Sequence, residues 1–382
     1  MKIILDGSDA VVGTRAIRRY TINLIAELPA IGAHDRFTVF MNYFRGDADI
    51  VDRKIAGAGN ATAVRWACPR HFSLPLWDRL GVPSVDLFTG PADIFHALGD
   101  DCPPIKSAAY IITLHGIVYM KRADLIDPNY VQKKSAWLNK MTQRADYFVA
   151  VSETTRQEFL EFFPTIDSQR VRVIPLGIGS EFRVFEKEHV RKVLLQEFNI
   201  SRPYILYVGG LQTHKNIEGT IRGFSLLARH YPDLDLVLVG RENGKACDVE
   251  QLIGSLKLEE RITILDYISQ EEDGLPILYN GAELFVFPSF VEGWTSPPLE
   301  AMACGTPVVT SNVSSLPETV GDAALMIDPN YPEYISAAME RLLCDSALRR
   351  ALRHKGLQHA AQYSWKRCAE NTYAFYRDVA AS

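Results

Sequence analysis

The stretch Phe287-Pro-Ser-Phe-Val-Glu-Gly-Trp-Thr-Ser-Pro-Pro-Leu-Glu-Ala-Met-Ala-Cys-Gly-Thr places two carboxylates, Glu292 and Glu300, around a helix start. An apolar strand runs out near Ser289, a loop carries Glu292 and Gly293, and Ser296-Pro297 reads as an N-cap followed by proline at the first helical position. The helix predicted over 298–304 stops at Gly305, where a left-handed residue closes it. A helix start directs N–H groups outward and attracts anions by roughly 0.3 to 1 kcal/mol, more when partly buried. A diphosphate suits that chemistry, and both carboxylates are able to approach one ligand there. The plainer reading is a capped helix with two solvated glutamates.

Two further places carry reactive side chains at strand ends. In Tyr207-Val-Gly-Gly-Leu-Gln-Thr-His-Lys-Asn a strand opens into a loop and Lys215 heads the next helix, as a ligand-facing cation or as a solvated lysine. In Thr113-Leu-His-Gly a second strand ends on His115, whose alternative, like that of His96, is a satisfied core histidine. Asp47-Ala-Asp49 and Asp233-Leu-Asp235 match the Asp-x-Asp pattern of metal-dependent sugar transfer. Such matches arise by chance in a chain of this acidity, and no metal ligand is expected.

The elements that must position these groups follow from hydrophobic period. Short apolar runs at 2–5, 37–41, 93–97, 110–114, 147–151 and 171–174 alternate with helical stretches, such as the one where Ile17, Leu24, Ile25 and Leu28 share a face. That is one doubly wound parallel sheet. The pattern restarts at 204–208, 235–239, 262–265, 284–288 and 307–310, which predicts a second. The α/β reading is therefore an N-terminal domain over 1–180, a C-terminal domain over 181–363, and a closing amphipathic helix over 364–382 that completes the first domain. In open α/β sheets ligands bind beyond the carboxyl ends of the strands. Two such sheets facing each other would make a cleft able to close on a ligand.

Composition excludes several classes. With 382 residues, 47% hydrophobic and 23% charged, the chain is globular and long enough for two cores. Residues 1–180 carry 21 Lys and Arg against 19 Asp and Glu, and the remainder 20 against 27. No basic run is dense enough for nucleic acid, while a mildly basic first half would suit an anionic acceptor or a lipid surface. Six separated cysteines with no CxxC pair read as reduced thiols. No segment reaches the roughly 20 apolar residues that span a bilayer. A cytoplasmic protein is expected, with attachment to a membrane surface left open.

The Glu292-to-Glu300 stretch resembles the E-x7-E signature of family 4 of the glycosyltransferase classification. The likeness extends to Val151-Ser-Glu-Thr-Thr-Arg and Arg170-Val-Arg-Val-Ile-Pro-Leu-Gly, and so to nearly the whole chain. It implies the GT-B fold, with two Rossmann-like domains facing a cleft, and a retaining hexosyltransferase acting on a nucleoside diphosphate sugar such as UDP- or GDP-glucose or -mannose. The acceptor would be a glycan or lipid-linked oligosaccharide in polysaccharide biosynthesis. No cofactor is implied.

Carried onto this sequence, the resemblance puts Glu292 by the donor sugar and Glu300 on the ribose hydroxyls. Gly293, Trp294, Thr295, Ser296 and Leu299 surround the donor, and Lys215 and Gly210 meet the diphosphate. Relatives add an arginine there, a role open here to Arg241. Tyr267 and Ile268 would pack on the base, and His115 would touch the donor sugar. Relatives often show Gly-x-Gly-Arg-Tyr in the first loop, whereas this chain reads Ala16-Ile-Arg-Arg-Tyr20, leaving either Gly13 and Thr14 or the Arg15 and Arg18 side chains to face the phosphate. On these roles Glu292→Gln lowers kcat without changing nucleotide affinity. A nucleotide-sugar-binding protein without transferase activity is the competing reading, and a dehydrogenase is disfavoured by the missing G-x-G-x-x-G.

Overall fold

The computed structural model describes residues 1–241, 248–266, 268 and 274–382. They form two compact units. The first comprises Met1–Ile117, Ser135–Gly177 and Trp365–Ser382, the second Val118–Lys134 and Ile178–Ser364.

Unit 1 is built on seven strands: β1 (Lys2–Asp6), β2 (Arg36–Asn42), β3 (Ala61–Trp66), β4 (Ile94–Ala97), β5 (Ala109–Leu114), β6 (Tyr147–Ala150) and β7 (Val171–Val173). All pair in parallel, in the order β3-β2-β1-β4-β5-β6-β7, with Ile3 opposite both Phe37 and Ile94. Chain direction across the sheet reverses between β1 and β4, so the crevice at their carboxyl ends is a topological switch point. Ile3, Ile4 and Leu5 are almost wholly buried, as strands covered on both faces require. The helix Arg15–Ile31 lays Leu24, Ile25 and Leu28 on the sheet.

The last helix, Trp365–Ala381, returns to this unit and buries Trp365, Cys368, Ala369, Thr372, Phe375, Tyr376 and Val379 along one stripe. Its Tyr376 hydroxyl lies 2.6 Å from His96 Nδ1, while Thr113 Oγ1 lies 2.8 Å from Nε2. Burial pushes His96 down to about 3, so it is a neutral core residue.

Unit 2 carries β8 (Tyr204–Val208), β9 (Asp235–Val239), β10 (Ile262–Leu265), β11 (Leu284–Phe287), β12 (Val308–Ser311) and β13 (Leu325–Ile327). They too are all parallel, in the order β10-β9-β8-β11-β12-β13. Here the switch point lies between β8 and β11, where Leu206 is opposite Phe285. Sequence period missed β3 and β13. Both are edge strands, and β13 is three residues long with only part of its surface covered.

Candidate active site

The carboxyl ends of β8 and β11 carry the two most reactive stretches of unit 2. After β8 the backbone passes close to the end of β9. A side chain on Gly240 would meet Gly209 O at 1.9 Å, so the approach requires glycine at 240, where φ is +155°. Tyr207, stacked on Phe287, donates its hydroxyl to Gly210 O at 2.9 Å and fixes the loop start. A single 3-10 turn, Thr213–Lys215, follows, ended by Asn216 at φ +57°. Asparagine tolerates that geometry because its side chain bonds locally. Here its Oδ1 accepts from Gly219 N at 3.1 Å and its Nδ2 donates to Pro329 O at 2.7 Å.

This reversal turns Lys215 back across the switch point. Its Nζ lies 5.5 Å from the centre of the Phe287 ring and donates to both oxygens of Glu292, at 2.6 and 2.7 Å. Glu292 is held from several sides. Ser289 Oγ lies 2.7 Å from Oε1, Glu292 N donates to Ser314 Oγ at 3.0 Å, and Ser315 Oγ donates to Glu292 O at 3.0 Å. The two loops are tied directly by Phe290 N donating to His214 O at 2.9 Å. Burial, then the Lys215 charge, pushes the His214 imidazole down to about 4 against the pull of Glu292, so it stays neutral near pH 7. The result is a charge-balanced, largely buried lysine–carboxylate pair at the place where open α/β sheets bind ligands. Sequence spacing held no sign of this pairing, since 77 residues separate its members.

Glu300 has different surroundings. It is 1% exposed and its Oε2 accepts from the Tyr279 hydroxyl at 3.0 Å. Burial and then this carboxylate drive the Cys304 thiol far above the usual range. The intervening helix is Pro297–Ala303, with Gly305 at φ +75° beyond it. Ser296 occupies the N-cap position but adopts helical angles and makes no capping bond, which corrects the sequence reading. Of the first three helical residues Pro297 and Pro298 have no N–H, and Glu300 N is bonded to Ser296 O at 2.9 Å. Leu299 therefore supplies the one amide of that turn, while its side chain is wholly in the core. The row of free N–H groups expected from sequence is reduced to a single donor. Gly293 and Thr295 are buried, and the Trp294 ring lies 5.4 Å from Tyr363 with Nε1 unpartnered among the described residues.

Arg241 is brought beside the β8 loop by Leu211 N donating to Arg241 O at 3.1 Å. Its guanidinium pairs with Asp266 at 2.9 Å, both side chains being more than half exposed. Such a pair contributes about 0 to 1 kcal/mol and is readily exchanged for another anion. Ile268 and Phe198 both border Gly274, and Tyr267 lies outside the described residues. A cavity of about 220 Å³ opens between Thr213, Asn216, Arg222, Phe290 and Pro329. Neither Lys215 nor Glu292 lines it, and it is smaller than the roughly 300 Å³ at which drug-sized ligand sites begin. Asp47 and Asp49 pair with Arg53 and Arg65, and Asp235 with Arg202 and Arg261.

Gly13, Thr14 and His115 belong to unit 1. Gly13 N donates to Asp9 O at 3.1 Å, and a side chain at 13 would meet that oxygen at 2.5 Å, so the close turn requires glycine. Thr14 is exposed and accepts from Arg18 N at 2.7 Å. His115 Nε2 donates to Leu98 O at 2.7 Å, with the ring edge-on to Tyr20 at 4.9 Å. In the neutral ring that bond puts the proton on Nε2.

Around the β1–β4 switch point lies a carboxylate cluster that the sequence reading did not single out. Asp9 accepts from Asp100 N at 2.9 Å, and Arg70 bridges Asp9 and Asp101. Burial, then Asp101, pushes wholly buried Asp6 up to about 7, and burial pushes Asp101 up to about 6 against the pull of Arg70. An unfolded aspartate titrates near about 3.9, so the folded chain holds the extra proton between roughly pH 4 and 7. The contribution of Asp6 to stability is therefore greatest at low pH and falls as pH rises through that window. Comparing melting curves from about pH 5 to about 7.5, the stability of wild type relative to Asp6→Asn is expected to fall by up to roughly 1.4 kcal/mol per pH unit. Parallel pH profiles for the two proteins would contradict the assignment.

Comparison with known proteins places both units. The family model for glycosyl transferases group 1 matches residues 191–359, and that for glycosyltransferase family 4 matches residues 17–182. O-antigen chain mannosyltransferase B of Escherichia coli is 34% identical over 279 residues, 72% of this chain and 71% of that protein. The serotype-specific mannosyltransferase WbdA of Escherichia coli is 32% identical over 300 residues, 75% of this chain but only 35% of that longer protein. Among solved structures, Anabaena HepE in complex with UDP-glucose superposes with a TM-score of 0.71 at 15% identity, covering 99% of both chains.

Proposed function

The chain belongs to glycosyl transferases group 1, family 4 of the glycosyltransferases, with the two-sheet GT-B fold, and from that premise we propose that it moves mannose from a nucleoside diphosphate donor to a glycan or lipid-linked acceptor. The observation that carries this reading is the Lys215–Glu292 pair at the β8–β11 switch point. Mannose is favoured over glucose by the two mannosyltransferase relatives.

In this reading the donor diphosphate displaces Glu292 from Lys215. The cation then neutralises charge on the leaving group, helped by the Leu299 amide and by Arg241 released from Asp266. Glu292, freed of its partner, lies beside the sugar as positive charge develops at its anomeric carbon. The acceptor oxygen bonds that carbon on the face from which the diphosphate departs, and the acceptor proton passes to a β-phosphate oxygen. Configuration is thereby retained without an enzyme nucleophile, and a metal ion has no assigned role. Glu300 takes the ribose, while the share of Gly13, Thr14 and His115 in donor binding rests on the family resemblance.

The test is nucleotide release from UDP-, GDP- and dTDP-sugars, with and without EDTA. Turnover of a nucleoside diphosphate mannose that survives EDTA is expected. Loss restored by Mg2+ or Mn2+ would overturn the metal-free part, and nucleotide binding with no turnover of any donor would favour a binding protein without transferase activity.

A further inference from the structure

The cavity of about 220 Å³ in unit 2 takes no part in the transferase reading, and its walls have a definite origin. Two helices, Ile217–Ala228 and Pro332–Cys344, run close together because Gly223 puts no side chain between them. A carbon added there would lie 3.1 Å from Pro332 O and from Ile335. Their starts are tied by Asn216 Nδ2 donating to Pro329 O at 2.7 Å, and the cavity opens beside that bond. Phe290 forms a further wall, with the Arg122 guanidinium, also of unit 2, 5.8 Å from its ring centre.

Charge and shape describe the ligand. A helix start draws anions, but each of these two already carries a carboxylate in its first turn, Glu218 and Glu333. The cavity lining holds one acid and one base, and they are paired: Arg222 Nε and Nη2 lie 2.9 and 2.8 Å from one oxygen of Glu218. That leaves Glu218 Oε2 as an acceptor and Arg222 Nη1 as a donor, neither with a partner among the described residues. A neutral cavity with a donor, an acceptor and an aromatic wall suits a polyhydroxylated ring, whose hydroxyls radiate from its rim while its C–H groups form an apolar face. Too small for a drug-sized molecule, the space suits one such ring. The surface beyond continues in kind. Tyr331, between the lining residues Asn330 and Pro332, and Tyr334, one turn on, are 51% and 54% exposed, with ring centres 5.1 Å apart. One exposed tyrosine is ordinary, but two adjoining rings at the edge of an aromatic-walled cavity extend a strip that is apolar on its faces and hydrogen-bonding at its hydroxyls. We propose that this cavity and the Tyr331–Tyr334 platform form a saccharide site separate from the Lys215–Glu292 pair, taking one hexopyranose unit of a neutral glycan in the cavity and its neighbours on the tyrosines. That this glycan is the growing acceptor, kept with the enzyme between transfers, rests on the transferase reading.

The test is titration of the full chain with linear α-mannotetraose, maltotetraose and tetragalacturonate, read by calorimetry and by saturation-transfer NMR. Binding of a neutral tetrasaccharide is expected, with saturation reaching its ring C–H protons. Tyr331→Ser/Tyr334→Ser and Arg222→Ala alter only exposed side chains. Both are expected to weaken that binding, the tyrosine pair by roughly tenfold or more, while nucleotide affinity stays at the wild-type level. Unchanged saccharide binding in both variants, or binding of neither neutral tetrasaccharide to wild type, would overturn the proposal. So would tetragalacturonate binding more tightly than both, which would mark an anion site at the helix starts. Saccharide binding that depends on these side chains in a protein that turns over no donor would leave the site standing and remove the transferase reading. Donor turnover in a protein that binds no saccharide here would do the reverse.

Discussion

Glu292→Gln is expected to lower kcat by roughly tenfold to a thousandfold, about 1.4 to 4 kcal/mol, while nucleoside diphosphate binds more tightly than to wild type. The first half follows from placing the carboxylate where positive charge develops on the sugar, an interaction stronger in the transition state than in the bound donor. The second half follows from the ion pair and revises the expectation of unchanged affinity drawn from sequence. In the resting protein Lys215 is engaged by both oxygens of Glu292, and a diphosphate must compete for it. Removing the negative charge removes the competitor, so affinity should rise by roughly threefold to tenfold, a change of about 0.7 to 1.4 kcal/mol. Steady-state kinetics and calorimetry on the same preparation read both halves. Loss of turnover with weaker nucleotide binding would mean that Glu292 itself holds the nucleotide.

A larger loss is expected for Lys215→Met. The lysine meets the diphosphate in ground and transition states, and more strongly as the leaving group gains charge, so kcat/KM should fall by roughly a hundredfold to ten-thousandfold. The substitution also strands Glu292, 6% exposed, without its cation, and stability should drop by a few kcal/mol or less, about 3 to 5 being the range for fully buried pairs. The double variant Lys215→Met/Glu292→Gln separates the two effects. It should recover much of the lost stability, because no unpaired charge remains, and none of the lost activity. A double variant as active as wild type would show that the pair is structural only.

What the sequence disclosed depended on whether burial left a periodic trace. β1, β8 and β11 read as strands because both faces are covered, giving unbroken apolar runs such as Leu284-Phe-Val-Phe. The helix Trp365–Ala381 read from its apolar stripe. The edge strand β3, Ala-Thr-Ala-Val-Arg-Trp, is only partly covered and left no such run. At the site, the residue types and their strand-end positions were legible, but their partners were not. Lys215 reaches Glu292 because the strand order reverses at β8 and β11 and because Asn216 turns the chain back, neither of which is written in local spacing. Ser296 shows the opposite failure: the residue type suited a cap, and the backbone angles at that position prevent it. Asp6 has nothing in its local sequence to mark it, and only its burial beside Asp101 and Asp9 shows it to be an unusual acid.

The central claim, that one lysine at the switch point of unit 2 is held by Glu292 until a donor diphosphate takes it, is tested most directly by calorimetric titration. GDP and UDP would each be titrated into wild type, Glu292→Gln and Lys215→Met at one salt concentration. The account predicts that the nucleotide that binds wild type does so more tightly to Glu292→Gln and at least tenfold more weakly to Lys215→Met. Equal affinity in all three proteins would contradict it.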